Sequence, residues 1–173
     1  MGAESGSDVV LQAMDKDGSV EEIRNATAIL RRHQIKVGFF LQLGYPGEGL
    51  PEVLQTVDMV KELRPDDIGV SVTYPLPGTV FHERVAPSMT AQKYWDGSME
   101  NRPLYETTFD RAFYGAAKEV LRSVHSTAWR RESVEAFLAE PSRRTARRVA
   151  GAAWHTVRLP FVKRRMLALA QPR

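Results

Sequence analysis

Three short clusters of residues carry the groups best suited to holding a polar ligand. Glu4, Ser5 and Ser7 set a carboxylate beside two hydroxyls, and together they can exchange hydrogen bonds with a ribose or an ammonium group. Gly44-Tyr45-Pro46-Gly47-Glu48 brackets a turn with two glycines, which relieve crowding where backbone bends sharply or approaches a ligand. The run Thr73-Tyr74-Pro75-Leu76-Pro77-Gly78 is a proline-stiffened loop, since proline fixes its own φ and cannot donate to a sheet ladder. Each cluster also has a plainer reading. Ser5 or Ser7 can cap a following helix with Glu4 as a supporting partner, the glycines can make an ordinary strand-to-helix turn, and Glu48 can favour the positive end of a helix.

Other chemistries find little support. The chain has no cysteine, which removes disulfides, thiolate zinc sites, cysteine nucleophiles and cysteine-ligated clusters from its own repertoire. His33, His82, His125 and His155 show no metal-ligand spacing with one another, so no metal ligand is assigned. Ser5, Ser7 and Ser71 lack a nucleophile-elbow sequence, and neither a P-loop nor a GxGxxG fingerprint is present.

The clusters must be positioned by the elements around them. Apolar residues recur at helical spacing from Ser19 to Gln34, and Ser19 with Glu22 has the form of a capping box. Ile35 to Leu43 is a mostly apolar run rich in strand formers, as expected of a strand buried on both faces. A helix is expected from about Pro51 to Leu63, with Pro51 where a missing amide hydrogen costs little. Ile68 to Thr73 reads as another buried strand. Ala3 to Ser7, followed by the helix-like Asp8 to Lys16, resembles the end of one more strand begun upstream of Met1. Alternation of helix and strand implies an α/β fold with a parallel sheet, doubly wound or closed into a barrel.

On this frame the clusters fall at the C-terminal ends of strands, where such sheets place their ligands. The segments Gly2 to Lys16, Val37 to Glu48 and Pro65 to Thr79, taken in order, resemble the fourth, fifth and sixth strands of radical S-adenosylmethionine (SAM) enzymes, particularly the subgroup with a cobalamin-binding domain. The resemblance covers roughly residues 1–85. It implies the C-terminal half of a TIM-like (β/α) radical SAM barrel, with Glu4, Ser5, Ser7, Gly44, Pro46, Gly47, Thr73, Tyr74 and Pro75 around the cofactor. It further implies S-adenosylmethionine and a [4Fe-4S] cluster, whose CxxxCxxC loop would precede Met1, and cobalamin through an N-terminal domain. The expected function is that of a fragment contributing contacts to radical chemistry, such as cobalamin-dependent methyl transfer or modification of a lipid, pigment or natural product. It would be inactive without its N-terminal half, supplied in cis or in trans. The alternative is a non-catalytic α/β interaction module with a basic tail that docks on a membrane or a partner.

Beyond residue 85 the pattern changes. Residues 86–130 are expected to form an aromatic loop, including Tyr94, Trp95 and Tyr105, and a helix from Asp110 to Trp129. Residues 131–173 form a basic, helix-prone tail interrupted by Pro160. Residues 1–110 hold 10 basic and 17 acidic side chains, whereas residues 111–173 hold 14 and 4, so the two parts face different surroundings. Within 143–169 arginines interleave with Trp154, Leu159, Phe161, Leu167 and Leu169. This tail is either a solvated helix packed on the domain or a cationic element for peripheral membrane contact; nucleic acid is not expected, because no recognised motif accompanies the charge. No stretch has the continuous apolar length of a membrane span, and a cytoplasmic location, with membrane-peripheral contact through the tail, is the expectation.

Overall fold

The computed structural model describes residues 1–89 and 103–171. Its centre is a parallel three-stranded sheet, β1 (Gly2–Glu4), β2 (Gly38–Leu43) and β3 (Asp67–Val72), in the order β1-β2-β3. β2 and β3 run in unbroken register from Gly38 opposite Asp67 to Leu43 opposite Val72. The β1–β2 pairing shifts register between Gly2 and Glu4. Helices α1 (Asp8–Ala13) and α2 (Val20–Arg32) connect β1 to β2, and α3 (Leu50–Leu63) connects β2 to β3. The fold is therefore a partial (β/α) arrangement, followed by α4 (Val80–Val85), α5 (Arg111–Ala128), α6 (Arg130–Ala139) and α7 (Arg143–Ala168).

Local chemistry explains the boundaries. Ser19 Oγ accepts from the Glu22 amide while the Glu22 carboxylate accepts from the Ser19 amide at 2.7 Å, the reciprocal capping box that satisfies two amides at a helix start. At α3, Pro51 occupies the first turn, and Glu52 accepts from the Gly49 amide at 2.9 Å. Asp110 caps α5 through the Phe113 amide at 2.8 Å.

One face of the sheet is packed. Ala3, Phe39, Leu41, Leu43 and Val72 are buried with Val53, Val57 and Val60 of α3 and Phe113, Ala117, Val120 and Leu121 of α5. The other face is open. Phe40, in the middle of β2, is 66% exposed, and Gly2, Gly69 and Ser71 on the same face are exposed. The expectation of strands buried on both faces is therefore corrected. The apolar run was rich enough to line two interfaces, but among the described residues helices cover only one of them.

The C-terminal helices are fixed to the sheet near Pro65. Its carbonyl accepts from Trp129 Nε1 at 2.9 Å and lies 3.0 Å from His125 Nε2. α7 packs along α5 and α6 and runs unbroken through Pro160, contrary to the expected interruption. Proline removes its own amide from the helical ladder and crowds the carbonyl one turn earlier. Pro160 is exposed, so the carbonyl one turn earlier can turn to water. Of the expected aromatic loop, Tyr94 and Trp95 lie outside the described residues. Tyr105 is buried, pairs with Met89 in an antiparallel bridge and meets Phe81 edge-on at 5.7 Å.

Candidate functional site

The C-terminal ends of the three strands form a polar rim beside the open sheet face. Glu4 ends β1 with φ of 57°, a left-handed conformation uncommon for a residue with a side chain. Its carboxylate is held from two sides: Lys16 Nζ donates to Oε1 at 3.1 Å, and Gln42 Nε2 donates to Oε2 at 2.7 Å. The unusual backbone is thus over-determined by side-chain contacts. Below it an open depression of about 470 Å³ is lined by Gly2, Glu4, Phe40, Gln42, Gly69 and Ser71, among others.

Ser5 and Ser7 point elsewhere. Both are buried. Ser5 Oγ lies 3.3 Å from Thr56 Oγ1 on α3 and accepts from the Ser7 amide at 3.2 Å. Gly6 between them donates to Thr56 Oγ1 at 2.9 Å, and a Cβ at Gly6 would meet the Gln55 carbonyl oxygen at 2.5 Å. This turn is seated on α3 and sets the direction in which Glu4 leaves the sheet. Ser7 stands at the start of α1 without a side-chain capping bond.

The turn after β2 is built around a buried carboxyl. Gly44 and Gly47 have φ of 81° and 87°, values that glycine adopts freely. The Gly44 amide donates to Glu48 Oε2, while Glu48 Oε1 is buried with no hydrogen-bond partner. Burial pushes the Glu48 carboxyl up to about 8; the Gly44 amide pulls the other way, and nearby Glu52 adds to the rise. Glu48 is thus an internal tie of the turn and does not face the rim. Tyr105 donates to the Gly44 carbonyl at 2.6 Å, and burial chiefly raises its phenol well above the usual range, with the charges of neighbouring groups contributing. Tyr45 stacks on Phe81 at 5.0 Å and donates to the Ala13 carbonyl at 2.7 Å, and Arg84 donates to the Tyr45 hydroxyl at 2.9 Å.

After β3, the Thr73 amide and hydroxyl both donate to the Leu43 carbonyl, at 2.8 and 3.1 Å. These bonds lock the third cluster to the second, leaving Tyr74 37% exposed and Pro75 buried. Of the sequence-derived residues, the structure sets Glu4, Gly44, Pro46, Gly47, Thr73, Tyr74 and Pro75 at or just past the strand ends, and turns Ser5 and Ser7 into the α3 contact. Sequence reasoning did not single out Gln42 and Lys16. Both fall within the segments that carry the resemblance, and Gln42 stands out further as the one uncharged polar side chain in an apolar strand run.

Fold and rim together define a partial parallel (β/α) unit with a polar site at its strand ends. No family model matches the chain. Over 79 residues, 44% of this chain, it is 30% identical to a Pyrococcus horikoshii protein named a probable threonylcarbamoyladenosine tRNA methylthiotransferase. Over 78 residues it is 32% identical to the tRNA-2-methylthio-N(6)-dimethylallyladenosine synthase of a Sulfurihydrogenibium species, and over 78 residues it is 33% identical to a Methanocaldococcus jannaschii protein named a putative methylthiotransferase. The matches cover 19%, 18% and 17% of these curated relatives, so the chain spans less than a fifth of their length. The similarity is to methylthiotransferases of the radical SAM superfamily over part of the chain, and it lends nothing to a cobalamin association.

The residues fit the groups implied by that superfamily unequally. An iron-sulfur cluster needs thiolate or comparable ligands; the chain has no cysteine, and among the described residues no three His, Asp or Glu side chains gather to hold a metal. The cluster does not fit this chain. S-adenosylmethionine, with its ammonium, carboxylate, ribose and adenine, fits the chemistry of the rim better: a nearly buried carboxylate at Glu4, a side-chain amide at Gln42 and locked backbone at Thr73 to Pro75.

Proposed function

We propose that this chain supplies the late-strand, S-adenosylmethionine-holding part of a radical SAM enzyme, with the cluster ligands provided by another segment or chain. One observation carries this reading: Glu4, fixed by Lys16 and Gln42, stands at the mouth of an uncovered parallel-sheet face. The carboxylate accepts from the ligand's ammonium or ribose, the open space at the exposed Gly47 admits the nucleoside, and backbone carbonyls of Thr73 to Pro75 accept from the adenine amino group. Ser5 and Ser7 support this rim from below through Thr56. The open face is completed by further β/α units in cis or in trans, because Phe40 in mid-strand is otherwise left to water. Among reactions, methylthio transfer is favoured by the relatives' names, and cobalamin-dependent methyl transfer has no supporting observation. The same open face without ligand binding would make the chain a non-catalytic interaction module.

Equilibrium dialysis of the full chain against labelled S-adenosylmethionine tests the reading. Saturable millimolar binding that Glu4→Ala abolishes is expected, with the variant still folding cooperatively although its melt falls with the loss of the Lys16 and Gln42 bonds. Absence of binding by a folded chain would overturn it in favour of the interaction module.

A further inference from the structure

Helix α7 has a second amphipathic face that the fold does not use. Its inner face is occupied: Ala152, Val162 and Met166 are buried, Ser123 Oγ lies 3.0 Å from His155 Nδ1, and Arg158 pairs with Glu119 at 3.0 Å. On the opposite side Trp154, Val157 and Phe161 are 61%, 67% and 70% exposed. Their spacing of three and seven residues puts them on one stripe. Ala150 and Ala153 beside them are also exposed.

The charge pattern along this stripe is ordered. Residues 149–157 contain no Lys, Arg, Asp or Glu, while Arg143, Arg144, Arg147 and Arg148 precede them and Arg158, Lys163, Arg164 and Arg165 follow. The helix holds no acidic residue. The backbone positions of Arg143, Arg147, Trp154, Phe161 and Arg165 fall within a narrow arc at helical periodicity; the Arg147 side chain borders the groove over His125 and Trp129 and that of Arg165 the groove beside Arg111 and Glu119, so the long basic side chains flank the apolar stripe at its two ends. Among the described residues only Arg158 of this set pairs with a carboxylate. Helix stability does not account for the placement, because four arginines in the first two turns oppose the macrodipole.

We propose that the outward face of α7 lies on an anionic lipid bilayer, with Trp154, Val157 and Phe161 at the headgroup–acyl boundary and the two arginine clusters on lipid phosphates. A helix of this length covers about 40 Å and matches the pattern of interfacial helices, cationic flanks around an aromatic and aliphatic centre. No described helix is long and apolar enough to cross a membrane, so α7 rests in the surface. RNA is disfavoured as occupant: its phosphates would lie against the uncharged apolar centre, which gains from hydrocarbon and not from phosphate. A second copy of the chain would bring its own arginine clusters against these.

The test is flotation of the full chain with vesicles of phosphatidylcholine alone or mixed with phosphatidylglycerol, at low and high salt. Binding is expected only with the anionic vesicles and should weaken with salt. Replacing Arg143, Arg147, Arg164 and Arg165 by Gln should lower partitioning on the order of a thousandfold at low salt. Trp154→Ser with Phe161→Ser should also release the chain, and circular dichroism should show the exposed-site variants folded. A folded wild-type chain that ignores anionic vesicles would overturn the proposal. So would binding to RNA at the same salt that the Trp154→Ser, Phe161→Ser variant leaves unchanged, or a dimer of the chain that this variant dissolves.

Discussion

Gln42 Nε2 donates to Glu4 Oε2 at 2.7 Å across the β1–β2 pair, so the residue that ends one strand is held by a side chain on the uncovered face of the next. Lys16 completes the grip from the turn that follows α1. If this grip prepares the carboxylate for a ligand, Gln42→Leu should weaken S-adenosylmethionine binding by roughly tenfold, in line with a bond to a charged group. The chain should also lose about 1–3 kcal/mol of stability, since the Glu4 carboxylate is nearly buried and loses a donor. Paired dialysis and thermal melts check both halves.

Gly6 is the tightest joint beneath the rim. With the Gln55 carbonyl oxygen 2.5 Å and Thr56 Cα 2.6 Å from where a Cβ would sit, Gly6→Ala must push β1 away from α3. It should cost about 1–3 kcal/mol in denaturant unfolding. Thr56→Val, which removes the acceptor of the Gly6 amide and the partner of Ser5, should cost a similar amount.

Glu48 gives the turn after β2 a pH signature. Its carboxyl is raised from an ordinary 4.5 to about 8 by burial above all. Below pH 4.5 both folded and unfolded chains hold the proton. As pH rises through 4.5 to 8 the unfolded chain releases it first, so this group's contribution to stability falls across that window. Glu48→Gln keeps an acceptor for the Gly44 amide and removes the titration. The variant should gain on wild type as pH rises, on the order of a few kcal/mol by pH 8, as read from urea midpoints at several pH values.

Phe40 separates the two faces of the sheet. At 66% exposure, Phe40→Lys should change the stability of the chain alone by no more than about 0.5 kcal/mol. If further β/α units cover this face, the same substitution should abolish their association. Unfolding curves and co-purification with a cluster-bearing segment separate these effects.

Much of the fold was legible because its signals are local. The capping box of Ser19 and Glu22, Pro51 in the first turn of α3 and the alternation of helix with strand all follow from neighbours in sequence. The open face of β2 was not legible: a run such as Gly38-Phe39-Phe40-Leu41 reads as doubly buried whether or not a second layer is present. Pro160 misled because its cost depends on whether the freed carbonyl reaches water, which is a matter of which way α7 faces. At the site, Glu4 and the glycine turn were marked by residue type. The turning of Ser5 toward Thr56 depends on a contact 51 residues away, which no local pattern encodes.

The most direct measurement is an amide NMR titration of the full chain with S-adenosylmethionine. Saturable shifts concentrated at Glu4, Gln42, Gly44 to Gly47 and Thr73 to Tyr74, lost in Glu4→Ala, are expected. Shifts absent there in a folded chain, or clustered on α6 and α7 instead, would contradict the proposed ligand site.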